Sequence, residues 1–260
     1  MYDAIVISDL HLGSDVCQAK QLVRFLDTIK DDLLAARELI LNGDVFDSWD
    51  FRRLKKNHWK VLSIIRSLSD HVKIVWITGN HDEPADASTV AHLIGAEIVE
   101  RYIFESGHKR MLIFHGHIFD NFISKHPIVT HVVDFFYSLL HKIDKSFRLS
   151  RWAKHTSKTF LRCSAKIETE ARKYAVKLGC DTVLCGHTHL ERSSTSDGIA
   201  YYNSGSWCEA PCTYLTIADG SVQVHHYGDD PASDAVASEM PHPLSEGSYL
   251  ESQASYLESA

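Results

Sequence analysis

The chain has 260 residues, 44% of them hydrophobic, and its 27 Lys and Arg against 34 Asp and Glu give a formal charge of −7, with 17 histidines besides. This ordinary globular balance, with enough apolar side chain for a buried core, excludes a collagen-like, coiled-coil or disordered chain over most of the length. The longest apolar stretch, residues 128–140, is 13 residues long and contains His131 and Asp134, too short and too polar to span a bilayer.

Met1-Tyr2-Asp3 leads straight into an apolar run without a basic start or a small-residue cleavage site, so a cytoplasmic protein is expected. In chain order, short apolar and β-branched runs predict strands at 4–7, 38–41, 72–77, 111–114, 182–185, 200–202, 213–217 and 222–224. Helical spacing separates the early ones, at 18–29 (Val23, Leu26 and Ile29 on one face) and at 58–68 (Val61, Leu62, Ile65 and Leu68). This alternation predicts layered α/β structure, and the closely spaced late strands an antiparallel section. The six cysteines form no CxxC pair and are expected to be thiols. Cys208 and Cys212 are weak metal candidates, because better ligands lie elsewhere.

The residues that follow the strands carry the chemistry. The first run ends in Ser8-Asp9-Leu10-His11 and the second in Asn42-Gly43-Asp44-Val45-Phe46-Asp47. The third leads to Gly79-Asn80-His81-Asp82, the fourth to His115-Gly116-His117 and the fifth to Gly186-His187-Thr188-His189. Any one of these motifs is weak, since Asp-x-His occurs by chance and Gly-Asp often marks a turn. Five in succession place Asp, Asn and His at the C-terminal ends of strands, where α/β sheets gather their sites. Oxygen and nitrogen donors without thiolate favour Mn, Fe, Zn, Co or Ni over a structural cysteine-type zinc site. Asp9, His11, Asp44, Asn80, His115, His187 and His189 are too many for one ion but suit two ions sharing a carboxylate. Such a pair activates a water and clamps a phosphoryl group, which points to phosphoester or phosphoanhydride hydrolysis.

Together these blocks resemble those of the calcineurin-like metallophosphoesterases, in order and spacing over roughly residues 1 to 227. The resemblance implies an α/β fold, a four-layer αββα sandwich. It implies that Asp9, His11 and His189 hold one metal, that Asn80, His115 and His187 hold the other, and that Asp44 bridges. His81 is then the general acid or the group that steadies the phosphoryl charge, with Asp47 orienting it; Asp47 also suits a helix cap. Asn80 doubles as a substrate contact. Two divalent ions are the implied cofactors, with Mn expected and Fe, Zn or Co as alternatives.

Further segments are similar to one branch, the UDP-2,3-diacylglucosamine pyrophosphatases of lipid A synthesis and their relatives in Gram-negative bacteria. These are Leu12-Gly13-Ser14 with Cys17-Gln18-Ala19, Trp49 with Arg52-Arg53, His115-Gly116-His117-x-Phe119-Asp120, and Asn203-Ser204-Gly205-Ser206-Trp207. His81 and His117 depart from that branch, which tends to have Arg and Asp there. The branch inserts a helical cap between the fourth and fifth blocks, where this chain carries 12 Lys and Arg against 4 Asp and Glu over residues 121–177. Lys154, Lys158 and Arg162 recur every four residues and form one basic face for phosphates if helical. Val132, Val133, Phe135, Phe136, Leu139 and Leu140 supply apolar surface for acyl chains or a peripheral contact with the inner-membrane surface. A helical hairpin packed on the core shows the same pattern.

The expected organisation is a metallophosphoesterase domain at 1–228 with the cap at 121–177, followed by an acidic flexible tail at 229–260 in which Ser-Tyr-Leu-Glu-Ser occurs twice. The leading expectation is cleavage of UDP-2,3-diacylglucosamine, or a similar nucleotide-sugar lipid, to UMP and a lipid phosphate. A soluble nucleotide or cyclic-nucleotide phosphodiesterase is the alternative, and a non-catalytic metal-binding scaffold a weaker one. Nucleic acid is a poor fit as partner, because the overall charge is negative.

Overall fold

The alternation of side chains along the central strands determines the layers. In the computed structural model, which describes residues 1–82, 84–120 and 158–228, β1 (Tyr2–Ile7), β2 (Ala36–Asn42) and β3 (Lys73–Ile77) run parallel. Successive residues of a strand point to opposite faces, and strands covered on both sides must be apolar on both. Accordingly Ile5, Ile7, Leu39, Leu41, Ile74 and Trp76 pack to one side, and Ala4, Val6, Ile40, Val75 and Ile77 to the other.

On the first side lie α1 (Ala19–Lys30) and α2 (Lys56–Leu68). The first buries Leu22, Phe25, Leu26 and Ile29, a stripe at the i, i+3, i+4, i+7 spacing of one helix face. A third helix, α3 (Pro84–Leu93), adds Ala87 and Ala91 to the same core. The sheet is completed by β4 (Ala96–Val99) on one edge and by the antiparallel pair β10 (Cys212–Ala218) and β11 (Ser221–Tyr227) on the other, in the order β11-β10-β1-β2-β3-β4.

The second sheet has the order β5-β6-β7-β9-β8, built from β5 (Tyr102–Ser106), β6 (Lys109–Ile113), β7 (Thr182–Cys185), β8 (Arg192–Ser196) and β9 (Ile199–Asn203). Its inner face contributes Phe104, Met111, Ile113 and Leu184 to the core between the sheets. Its outer face packs Leu112, Phe114, Val183 and Tyr201 against Ala171 and Ala175 of α4 (Lys158–Lys177). Helices, sheet, sheet, helix is the four-layer αββα arrangement expected from the sequence.

Three strands were not anticipated. The edge strand β8, Arg-Ser-Ser-Thr-Ser, has no apolar residue, and β4 and β5 lack a clear alternation. The expected cap at 121–177 meets a different placement in its last part. Ile167, Ala171 and Ala175 are buried, so this stretch of the basic segment is packed onto the second sheet. Residues 121–157, with Lys154 and the expected apolar cap surface, lie outside the described residues, as does the acidic segment at 229–260. Among the described residues no helix is long and apolar enough to cross a membrane.

Candidate active site

The loops after β1 and β2 prolong the parallel pairing beyond the strands. Asp9 N donates to Gly43 O (3.0 Å), His11 N to Asp44 O (3.0 Å), Leu12 N to Val45 O (2.8 Å) and Asp47 N to Leu12 O (3.0 Å). This zipper holds Asp9, His11 and Asp44 side by side at the sheet end. The loops from the second sheet are tied in by Gly186 N to His115 O (3.0 Å) and Trp207 N to Asp9 O (3.1 Å).

The backbone there is unusual. Eight non-glycine residues among those described have positive φ, and five of them are Asp9, His11, Asp44, His187 and His189. Side chains with a β-carbon avoid this left-handed region, and such strain gathers at functional sites. Gly43, at φ +85, must be glycine for a second reason, since a β-carbon would overlap the His115 ring. A β-carbon on Gly79 would likewise strike the Asp44 carboxylate.

Asp9, Asp44 and His115 form the buried centre, each at most 2% exposed. His189 Nε2 stands 3.1 Å from Asp9 Oδ1, and His11 Nε2 stands 3.2 Å from His189 Nε2 and 3.7 Å from Asp44 Oδ2. His115 Nδ1 donates to the Asn42 main-chain oxygen at 2.8 Å. Its Nε2 lies 3.2 Å from Asp44 Oδ2 yet makes no hydrogen bond. Burial opposes a charge on this imidazole, but the Asp44 and Asp9 carboxylates overcome it and hold the His115 pKa up to about 10. In return the neighbouring histidines keep the Asp44 carboxyl well below the usual range despite its burial. A buried ring nitrogen and a carboxylate oxygen facing one another without a hydrogen bond are what a shared divalent cation requires, so the donor set fits metal.

Two triads of donor atoms within 4.8 Å of one another carry the same geometry, Asp44 with His115 and His187, and His11 with Asp44 and His81. Asn80 is exposed and lines the same cleft as His115. The seven ligands expected from the sequence therefore converge on one end of the two sheets.

The surroundings contain features that spacing did not reveal. His187 Nε2 is paired with Asp120 Oδ2 at 3.0 Å, across 67 positions of sequence. Ligating histidines commonly give their second nitrogen to a carboxylate, which fixes the tautomer and leaves the other nitrogen for metal. The only sequence signal for Asp120 is its place at the end of the His115–Asp120 block. The Cys208 thiol lies within 4.8 Å of the His11 and His189 donor nitrogens, although the ligand set read from sequence lacks thiolate.

His81 N donates to Asp44 Oδ1 at 2.9 Å, which ties this exposed histidine to the centre. Its Nδ1 lies 3.0 Å from the main-chain oxygen of Asp47. The expected orientation of His81 by Asp47 thus runs through the carbonyl. The Asp47 carboxylate instead faces Arg53 Nη2 (2.6 Å) and His11 Nδ1 (3.7 Å). Asp82 accepts from Val45 N (3.2 Å), Trp76 Nε1 (3.2 Å) and Gly79 N (3.0 Å), fastening the third loop to the second. Of the expected basic contacts, Arg162 is exposed on α4, while the Lys158 side chain and Lys154 lie outside the described parts.

A cleft of about 490 Å³ opens beside Asn80 and His115, walled by Phe114, Ile118, Tyr174 and Arg101. The Arg101 guanidinium donates to Tyr174 Oη at 2.5 Å.

The family model for the calcineurin-like phosphoesterases matches residues 3–191. Similar solved structures include an archaeal phosphodiesterase, 15% identical, covering 86% of this chain and 98% of its own, with a TM-score of 0.47. The phosphoesterase YfcE from E. coli is 18% identical, with 86% and 99% covered and a TM-score of 0.46. Vps29 from Entamoeba histolytica, in a single-mutant form, is 15% identical, with 87% and 99% covered and a TM-score of 0.45. No curated protein sequence matches the chain. On the family match and the convergence of side chains able to hold metal, the chain belongs to the calcineurin-like phosphoesterase family and is a metal-dependent hydrolase of phosphoesters.

Proposed function

We propose that the chain hydrolyses the diphosphate of UDP-2,3-diacylglucosamine, or a similar nucleotide-sugar lipid, to UMP and a lipid phosphate. The observation that carries this reading is the cleft beside Asn80 and His115, where apolar Phe114 and Ile118, the latter 58% exposed, share a wall with the Arg101 guanidinium. Charged and apolar surfaces side by side suit a substrate that joins phosphates to acyl chains. The branch motifs from Leu12-Gly13-Ser14 to Asn203-Ser204-Gly205-Ser206-Trp207 support the same choice.

In this reading Asp9, His11 and His189 hold one divalent ion, Asn80, His115 and His187 the other, and Asp44 joins them, with Mn the expected ion. When bound, two such ions lower the pKa of a water and offset phosphoryl charge. The chain's own residues do the rest. The His81 Nδ1–H donates to the Asp47 carbonyl, which leaves Nε2 to face the leaving oxygen; as the imidazolium, the ring gives its Nε2 proton to that oxygen as the P–O bond breaks and becomes the neutral imidazole. Asn80 and Arg101 orient the phosphates. Lys154, Lys158 and Arg162 extend the cationic surface towards the substrate, and the apolar stretch at 132–140 shelters acyl chains or rests on the inner-membrane surface on the cytoplasmic side.

A soluble nucleotide phosphodiesterase is the second reading, favoured by an imidazole at His81 where the lipid-cleaving branch tends to have Arg. The deciding experiment loads purified protein with Mn, Co or Zn in turn. UMP release from UDP-2,3-diacylglucosamine is then measured beside hydrolysis of soluble nucleotide diesters. Release of UMP that depends on the acyl chains supports the first reading; turnover of the soluble esters alone overturns it.

A further inference from the structure

Cys208 belongs to neither the ligand set read from the sequence nor the chemistry proposed above. It follows Trp207, whose amide donates to the Asp9 main-chain oxygen at 3.1 Å, on a loop that crosses the end of β1. The residue is 2% exposed, and its thiol points to the same oxygen at 3.6 Å. Its sulfur also lies within 4.8 Å of donor nitrogens on His11 and His189.

The two imidazoles add an independent observation. Their Nε2 atoms are 3.2 Å apart, and the Asp9 Oδ1 atom lies 3.1 Å from that of His189. Two nitrogens bound tetrahedrally at about 2.0–2.1 Å from one ion stand about 3.3–3.4 Å apart, so this pair already has the spacing of one edge of such a site. The thiol is near the same edge. Soft sulfur donors favour Zn and Co over Mn, whose preferred partners are carboxylate, carbonyl and water.

We infer that Cys208 is a direct thiolate donor to the ion held by Asp9, His11 and His189, making this position selective for a thiophilic divalent ion such as Zn(II) or Co(II) over Mn(II). The inference rests on the two-ion reading above and adds a ligand and a metal preference to it. Ligation forms a sulfur–metal bond in place of the weak hydrogen bond to Asp9 and releases the thiol proton to solvent.

The test is optical. Protein freed of metal by a chelator is titrated with Co(II) without oxygen, in the wild type, Cys208→Val and Cys208→Ser. Visible ligand-field bands report Co(II) bound by nitrogen and oxygen donors, and near-ultraviolet charge transfer reports a cobalt–sulfur bond. The wild type is expected to show both, and each variant only the visible bands. In parallel, Zn(II) affinity is expected to fall at least about tenfold in Cys208→Val with Mn(II) affinity little changed, since even loss of an outer-shell partner costs roughly 10–100-fold. Visible bands without charge transfer in the wild type, or charge transfer that survives in either variant, overturn the role of Cys208 and leave the two-ion reading standing. Absence of visible bands from the wild type overturns that reading and this inference together. The wild-type spectrum decides between these outcomes even where a variant fails to fold.

Discussion

The two halves of the site are built differently. Asp9, Asp44 and His115 are sunk beneath the sheet ends, each at most 2% exposed, on loops zipped to one another by main-chain hydrogen bonds and able to approach so closely because Gly43 and Gly79 carry no β-carbon. Asn80 and His81, which meet the substrate in the reading above, are exposed and project from a single loop. Burial fixes the position of a charged group at the cost of solvation, which is tolerable for ligands that are never released. A residue that must touch successive substrates stays near water and takes its order from a few directed bonds. In the reading proposed above, the metal end is specified by the core, and the proton-transfer end by hydrogen bonds from it.

The contrast can be broken most severely at its base. Asp44 meets His11, His115 and the His81 amide. Asp44→Ala is expected to lose both ions and all measurable turnover, and elemental analysis of the purified variant checks the first part. Retention of two ions per chain would show that the carboxylate does not join them.

His81→Ala acts on the open half alone. It should keep both ions and lose roughly 10²–10⁴-fold in rate on substrates whose leaving oxygen needs a proton. Nitrophenyl esters, whose leaving group departs as the anion, should lose far less. An equal loss on both kinds of ester would assign His81 to charge stabilisation.

Asp120 lies between the extremes, about 14% exposed in its side chain and paired with His187, a candidate ligand. Asp120→Asn is expected to weaken the ion at His187 by roughly 10–100-fold and to leave the other untouched. Calorimetric titration with Mn would show weakening confined to the ion at His187, and unchanged binding would reduce the Asp120–His187 contact to packing.

The same contrast explains how much could be read from the sequence. The buried candidate ligands were legible because a strand must be apolar, and a polar residue that ends it stands out. The layered α/β character followed from the same runs, and the four-layer αββα arrangement from the family resemblance. The strand β8 was not legible, since an edge strand of Arg, Ser and Thr has no hydrophobic face to reveal it. Nor was α3, whose Pro-Ala-Asp-Ala-Ser start has no apolar stripe. Asp120 was missed, and Cys208 stood only as a weak metal candidate beside Cys212, because their neighbours at the site lie far away in the chain, and proximity of that kind belongs to the fold alone. The packing of Ala171 and Ala175 was hidden by the basic residues that share their helix.

Asp82 has a mechanical consequence. By accepting from Val45, Gly79 and Trp76, one buried carboxylate clamps the loop that carries Asp44 to the loop that carries Asn80 and His81. In the reading proposed above, this clamp helps to set the span between the Asp44 carboxylate and the His81 imidazole. A substrate whose phosphate and leaving oxygen match that span is then favoured, while Arg101 and Tyr174 line the same cleft and face the remainder of it.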